Sequence, residues 1–462
     1  MAEQLSSALA MLTEFLSAEQ IEATARRTGF VQRTSKITGT LFLTLITFGS
    51  WSDAKTTLAQ LAAKATQLGT QVVVSPEALY QRMNTRALTF LRELICTALA
   101  KLQSCAHVCD ESLFAPFARV HVADSTGFGL PDSLKDTFPG AGGSAAQAGA
   151  KIQLVWDYKQ SVFTHFALMP WNIPDQKYID TVVALAQPDD LFLFDLGYFK
   201  INALATIAAA NAYFLCRLNY QTTLLEAVAD RLSRVALASR LATVKSPLLE
   251  QPILIGAKEQ VAARLIAARV PADVVNARRR MARKNVKKRG YTPSHAHVTL
   301  LAWNLFITNV PETIWQTATV LTVYPLRWQV ELIFKSWKSS LHLASIKTTK
   351  EDTTLCYLYG RMLLILLNYV LCPQIRAALW EKQQRELSVL KLVRHLQAFA
   401  ERWMQAIFQS EFALRRFLQQ VCATAERLVG KASRKRRTTA QILRESLQNQ
   451  GEAVVCMEVV NA

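Results

Sequence analysis

Acidic residues are scarce in this chain. It carries 35 aspartates and glutamates against 53 lysines and arginines, a formal net charge of +18 over 462 residues. Such an excess attracts polyanions and makes their association salt-dependent; alone it fits DNA, RNA or an acidic membrane equally. Long apolar runs are also missing. Residues 41–51 and 362–372 are the most apolar stretches, and both are shorter than the 20 or so residues of a membrane span. They read as core helices, and no membrane partner is expected. The amino terminus, Met1-Ala2-Glu3-Gln4, has no basic segment leading into an apolar one, so no secretory signal is expected. Cysteine is sparse: 8 residues without framework spacing, which suits a reducing cytoplasm. Cys105-Ala106-His107-Val108-Cys109 has no second ligand pair nearby to make a zinc site. The glycines of residues 140–143 lack the Lys-Ser/Thr of a nucleotide-binding loop and read as a turn. With 51% hydrophobic residues the chain is long and apolar enough for two or three domains with real cores.

What is present is concentrated in one line, Tyr324-Pro325-Leu326-Arg327-Trp328-Gln329-Val330-Glu331, continuing to Lys338. On a helix Arg327, Glu331 and Lys338 fall on one face, being four and seven residues apart. Leu326, Val330, Ile333 and Trp337 follow a 4-3-4 rhythm on the neighbouring face and read as the buried stripe. Pro325 fits the first turn, where a missing N–H matters little. Taken alone, Arg327 and Glu331 fit ordinary i,i+4 pairing on a solvated face equally well.

Two upstream aspartates shift that balance. Residues 119–124 alternate and stop at Asp124, followed by Ser125, Thr126 and Gly127; they read as a strand ending on a carboxylate. Residues 191–194 form a continuous apolar run into Asp195, as expected of a strand covered on both faces. Asp189 and Asp190, just before it, read as loop residues. Carboxylates at strand ends lie at the edge of an α/β sheet where ligand sites form. Three of them suit two Mg²⁺ ions, which favour oxygen ligands and serve in-line phosphoryl displacement.

These blocks, with Phe214-Leu215-Cys216-Arg217-Leu218, resemble the DDE-type bacterial insertion-sequence transposases, in the branch marked by a Tyr-x2-Arg-x3-Glu-x6-Lys signature. The resemblance frames residues 115 to 345 or so. It implies that Asp124, Asp195 and Glu331 form a metal-binding catalytic triad for Mg²⁺, with Mn²⁺ as a substitute. It implies that Tyr324, Arg327 and Lys338 hold phosphates of the transposon-end strand. Trp303 stands where related enzymes keep an aromatic that stacks on a flipped base; a buried strand tryptophan is the alternative reading. Pro325 departs from the common pattern and is expected to shift Tyr324 out of the helix. The implied substrates are double-stranded DNA, as terminal inverted repeats and target, and the implied assembly is a homodimer. Two other readings remain open: a catalytically silent transposase-derived regulator that binds DNA, and a general nuclease on the same fold.

Along the chain, residues 1–112 read as helical and DNA-binding. Ser75-Pro76 opens a segment like the second helix of a helix-turn-helix, which would offer Gln81, Arg82, Asn84 and Arg86 to DNA; an ordinary surface helix is the alternative. Residues 113–345 read as strand, strand, strand, helix, strand, helix, strand. That is the ribonuclease H-like order, an α/β mixed sheet, interrupted by an insertion over about 220–300. Within the insertion lies the densest basic run: Arg278, Arg279, Arg280, Arg283, Lys284, Lys287 and Lys288, expected to meet DNA backbone, with Gly290 as its stop. A second basic run covers residues 434–437. Residues 346–462 read as a helical region that, by resemblance, pairs two protomers.

Overall fold

The computed structural model describes residues 2–431 apart from 52, 54–55, 69–72, 105–111, 143–145, 229–230, 290–293, 347 and 349. Gly290, the Cys105 to Cys109 cluster and the 434–437 basic run fall outside the described residues.

At the centre is a ten-stranded mixed sheet in the order β3-β2-β1-β4-β5-β10-β9-β8-β6-β7. Strands β1 (Val120–Leu130), β2 (Ala148–Asp157) and β3 (Val162–Pro170) form an antiparallel meander; β4 (Leu191–Phe194) and β5 (Tyr213–Arg217) add in parallel on the far side of β1. Helices α7 (Asp175–Val183) and α8 (Ile201–Ala209) link β3 to β4 and β4 to β5. This is the ribonuclease H-like order read from the sequence, now seen as a hydrogen-bonded sheet.

The side-chain alternation of these strands builds two cores. Leu191 and Leu193 of β4 face one side, Phe192 and Phe194 the other, where α7 and α8 pack. Val120 and Val122 share the first face with Leu191, so Asp124, two residues on, projects to that side; Ser125 projects to the α7 side.

One expectation is corrected here. Asp124 does not end its strand: β1 runs six residues further, paired with β2 as far as Leu130 opposite Ala148. The small residues that break the alternation still hold the ladder, because Trp171 lies across them. A Cβ on Gly127 would sit 2.2 Å from the indole Nε1.

The insertion mixes strands and helices. Strands β6 (Leu224–Val228), β7 (Arg231–Arg234), β8 (Leu248–Ile255) and β9 (Val261–Arg269) surround α9 (Leu237–Thr243). The basic run lies on α10 (Ala272–Arg289), followed by α11 (His295–Leu300). Strand β10 (Trp303–Thr308) then pairs antiparallel with both β5 and β9, joining the insertion to the core sheet.

Helices α1 (Ala2–Phe15), α2 (Ala18–Arg27), α3 (Gly39–Thr44), α4 (Leu58–Gln67), α5 (Pro76–Arg82) and α6 (Thr85–Ser104) precede the sheet. After α12 (Thr317–Val323) and α13 (Trp328–Ser340) come α14 (Glu351–Gln383), α15 (Val389–Gln397), α16 (Ala400–Gln409) and α17 (Glu411–Leu428). The two helical regions are not separate bodies. Helix α14 packs on α1, α6 and α17, and one apolar cluster includes Leu12, Leu91, Leu363, Trp403 and, under the sheet, Leu193. The 362–372 run is the middle of this 33-residue helix, which is long and apolar enough to cross a membrane but whose apolar stretch is wholly buried in protein.

Candidate active site

Four side chains converge on the α13 face of β1 and β4. Asp124 comes from β1, Asp195 immediately follows β4, and Arg327 and Glu331 come from one segment. Residues Tyr324–Arg327 form a 3₁₀ turn that enters α13, so Pro325 does set Tyr324 outside the helix proper. Leu326, Val330, Ile333 and Trp337 are buried as the stripe requires and seat α13 against the core.

The guanidinium of Arg327 reaches all three carboxylates. Its Nη1 lies 2.9 Å from Asp124 Oδ2, its Nη2 3.4 Å from Glu331 Oε1, and its Nε 3.9 Å from Asp195 Oδ1. The shortest of these bridges two elements 203 residues apart, which a solvated i,i+4 pair would not do. Arg327 is almost fully enclosed, with 6% of its side chain exposed, whereas Asp195 and Glu331 are about 40% open to solvent. Burial pushes the Asp124 carboxyl up from 3.8 to about 6; Arg327 and the Ser125 N–H oppose the rise, and Asp195 and Glu331 add to it. Glu331 is raised too, first by burial.

These groups fit a hard divalent cation. All three candidate ligands are carboxylates. One guanidinium faces three carboxylates, and Asp124, chiefly through burial, stays hard to ionise beside it. Among the described residues no three His, Cys, Asp or Glu side chains close into a ready-made shell. The carboxylates are spaced around Arg327 instead.

A second polar cluster lies on the opposite face of β1. Asp175, the first residue of α7, accepts hydrogen bonds through Oδ1 from Ser125 Oγ (2.9 Å), Lys151 Nζ (2.9 Å) and Gln153 Nε2 (2.7 Å). The Tyr198 hydroxyl donates to Gln153 Oε1, and the Tyr198 N–H closes the turn that starts at Asp195. A helix amino terminus favours the Asp175 charge. The cluster therefore ties β1, β2, α7 and the Asp195 turn together directly behind the carboxylates. Sequence reading gave these residues no role. The available signal was Lys151 and Gln153, two polar positions on one face of an otherwise apolar strand.

The remaining sequence-derived candidates sit in different surroundings. Tyr324 is buried against Phe306, donates to the Phe194 carbonyl at 3.3 Å, and lines a pocket with Asp195, Arg327, Arg217 and Arg278. Lys338 is exposed at the far end of α13. Trp303 is 3% exposed, and the Arg269 guanidinium covers its ring at 4.6 Å. Within the basic helix, Arg278 turns inward, its Nη2 donating to Asn304 Oδ1 at 2.6 Å. Arg279, Arg280 and Arg283 line a shallow outer depression with Asp273 and Asn276, and Lys284 is exposed. Lys287 and Lys288 lie on α10, but their side chains are outside the described set. Arg217 of β5 and the partly exposed Trp328 also border the pocket; the Phe214 to Leu218 block was the only hint of the former.

Near the amino terminus Ser75 caps α5, with Pro76 at its first position, as expected. The groove-reading expectation is corrected in part. Arg82 points inward, donating to the Phe30 carbonyl (2.8 Å) and Ser35 Oγ (2.6 Å), and Asn84 Oδ1 accepts from Arg86 and Ala87 N–H groups. Both are held by their own chain; Gln81 and Arg86 remain exposed.

Comparison with known proteins bears on the family of the whole chain. The family described as "Transposase DDE domain" matches residues 115–367, more than half of the chain. The transposase for insertion sequence element IS231F of Bacillus thuringiensis subsp. israelensis is 27% identical over 86% of this chain and 86% of its own length. The transposase for IS1151 of Clostridium perfringens is 27% identical over 93% of this chain and 94% of its own. Among solved structures, a piggyBac transposase synaptic complex with hairpin DNA matches at a TM-score of 0.44 and 11% identity, covering 97% of this chain and 90% of that one. Family membership implies DNA strand cleavage and transfer with a divalent metal cofactor. By the match over residues 115–367, the chain belongs to the transposase DDE-domain family.

Proposed function

We propose that this transposase cuts its element at terminal inverted repeats and joins the 3′ ends to target DNA, with Asp124, Asp195 and Glu331 holding two Mg²⁺ ions. The observation that carries this reading is the convergence of those three carboxylates on one guanidinium, from three separate elements. Bound there, the ions would polarise the scissile phosphate and activate water or a 3′-hydroxyl. Mn²⁺, similar in ligand preference, is expected to substitute.

The chain's own groups supply the rest. Arg327, Arg217 and Arg278 border the pocket beside Asp195 and suit the phosphates flanking the cut; Lys338 extends that line along α13. The outer arginines of α10 suit duplex backbone and carry no base preference. Trp303 could stack on an extruded base only after leaving Arg269 and its strand position. Two ends cut together call for two protomers, so a homodimer is the proposed working unit.

The test is cleavage of a labelled duplex carrying the element's inverted repeats, with Mg²⁺ or with EDTA. Wild type should nick at the repeat boundary only with metal, and Glu331→Gln should lower the rate about a thousandfold or more while still binding the duplex. Binding without cleavage in both proteins would favour the silent regulator. Cleavage indifferent to the repeats would favour a general nuclease.

A further inference from the structure

We propose that Arg327 is an exchangeable counter-ion. Before metal arrives its guanidinium keeps the three carboxylates assembled, and it gives them up to divalent cations as it turns to a DNA phosphate. This rests on the reading of Asp124, Asp195 and Glu331 as metal ligands.

Three observations support the exchange. Each of the three guanidinium nitrogens faces a different carboxylate, so one planar fork spans the whole set, which a lysine point charge cannot do. The attachment is also loose. Permanent arginine pairs in this protein are short and two-pronged, as in Arg119 with Asp190 at 2.8 and 2.6 Å. Arg327 has one good bond of 2.9 Å, one of 3.4 Å, and an Nε with none. Finally, Arg327 borders the pocket shared with Arg217 and Arg278, so its alternative anionic partner would sit beside it. A single positive charge leaves three carboxylates under-neutralised; divalent ions neutralise them better and then repel the guanidinium toward a phosphate.

The consequence is thermodynamic. Metal must compete with Arg327 in the free protein, and a phosphate that captures Arg327 relieves the competition. Metal and DNA therefore bind cooperatively, each tightening the other by the same factor.

The measurement is a Mn²⁺ titration of the full-length protein, followed by the electron paramagnetic resonance of free Mn²⁺. Arg327→Ala should bind Mn²⁺ at least about fivefold more tightly than wild type, the low end of ordinary site-to-site coupling. Arg327→Lys should also bind more tightly, and it carries the test if the alanine variant does not fold. A short duplex should tighten Mn²⁺ binding in wild type and lose most of that effect in either variant. Equal or weaker binding in the Arg327 variants, with Asp124→Asn still abolishing it, would overturn the exchange and leave the metal-ligand reading standing. A duplex effect undiminished in the variants would overturn the hand-over to phosphate. If Asp124→Asn binds Mn²⁺ like wild type, the ligand reading itself fails and the exchange with it.

Discussion

At the scale of single residues, Asp124 sets a pH dependence. Its carboxyl is raised to about 6 and must be ionised to take a metal. Metal affinity should thus be level above about pH 7 and fall as pH drops through 6, approaching a tenfold loss per unit. A titration of Mn²⁺ binding between pH 5 and 8 reads this directly. In the metal-free protein the same shift acts with the opposite sign. The folded state holds the proton more tightly than the unfolded chain, so this contribution to stability is present below about pH 4 and lost as pH rises through about 6. Asp175 makes a second residue-scale case. Asp175→Ala leaves the buried Lys151 ammonium without its partner and should lower stability by about 3–5 kcal/mol, read by thermal unfolding. Adding Lys151→Met should recover part of that loss. The convergence of Asp124, Asp195 and Glu331 was legible because an aspartate after an apolar strand segment and a fixed Arg-Glu-Lys spacing both leave a pattern along the chain. The Asp175 cluster was not, because its members come from four elements and none carries a motif of its own.

At the scale of elements, α10 is two-sided, and its two sides should behave differently. Replacing Arg280 and Arg283 by alanine should weaken duplex binding similarly on all sequences and reduce the slope of log affinity against log salt by about 0.9 per lost phosphate contact. The cleavage position should stay where it is. Arg278→Ala should instead also disturb folding, since it removes the tie to Asn304 on β10. A salt series on all three variants separates the roles. The core strands and the α13 stripe could be read ahead of the structure because their burial pattern is imposed locally, every second or every third and fourth residue. The insertion strands could not. Val261–Arg269 is rich in alanine and arginine, which favour helix, and Arg231–Arg234 is exposed throughout. Their strand form comes from the ladders on β8 and β6, a tertiary choice that overrides local preference. Arg82 misled for a related reason: basic residues on a short capped helix look alike whether they face DNA or a carbonyl.

At the scale of the whole molecule, the helices from both ends share one core around α14, and that core continues beneath the catalytic sheet. Thermal unfolding of the full chain should therefore show a single cooperative transition, and a fragment ending at residue 104 should lack a stable fold. Two resolved transitions in calorimetry would contradict this. The sheet has a mechanical counterpart. Strand β10 is hydrogen-bonded to β5, β5 to β4, and β4 leads directly into Asp195, while Arg278 of the basic helix grips β10 through Asn304. A pull applied to α10 by a bound duplex is thus transmitted through the Arg278–Asn304 bond and two strand ladders to Asp195, a proposed metal ligand, with no linker along that path to absorb it. When enzyme and DNA must adjust to each other, the compliance has to come from the nucleic acid.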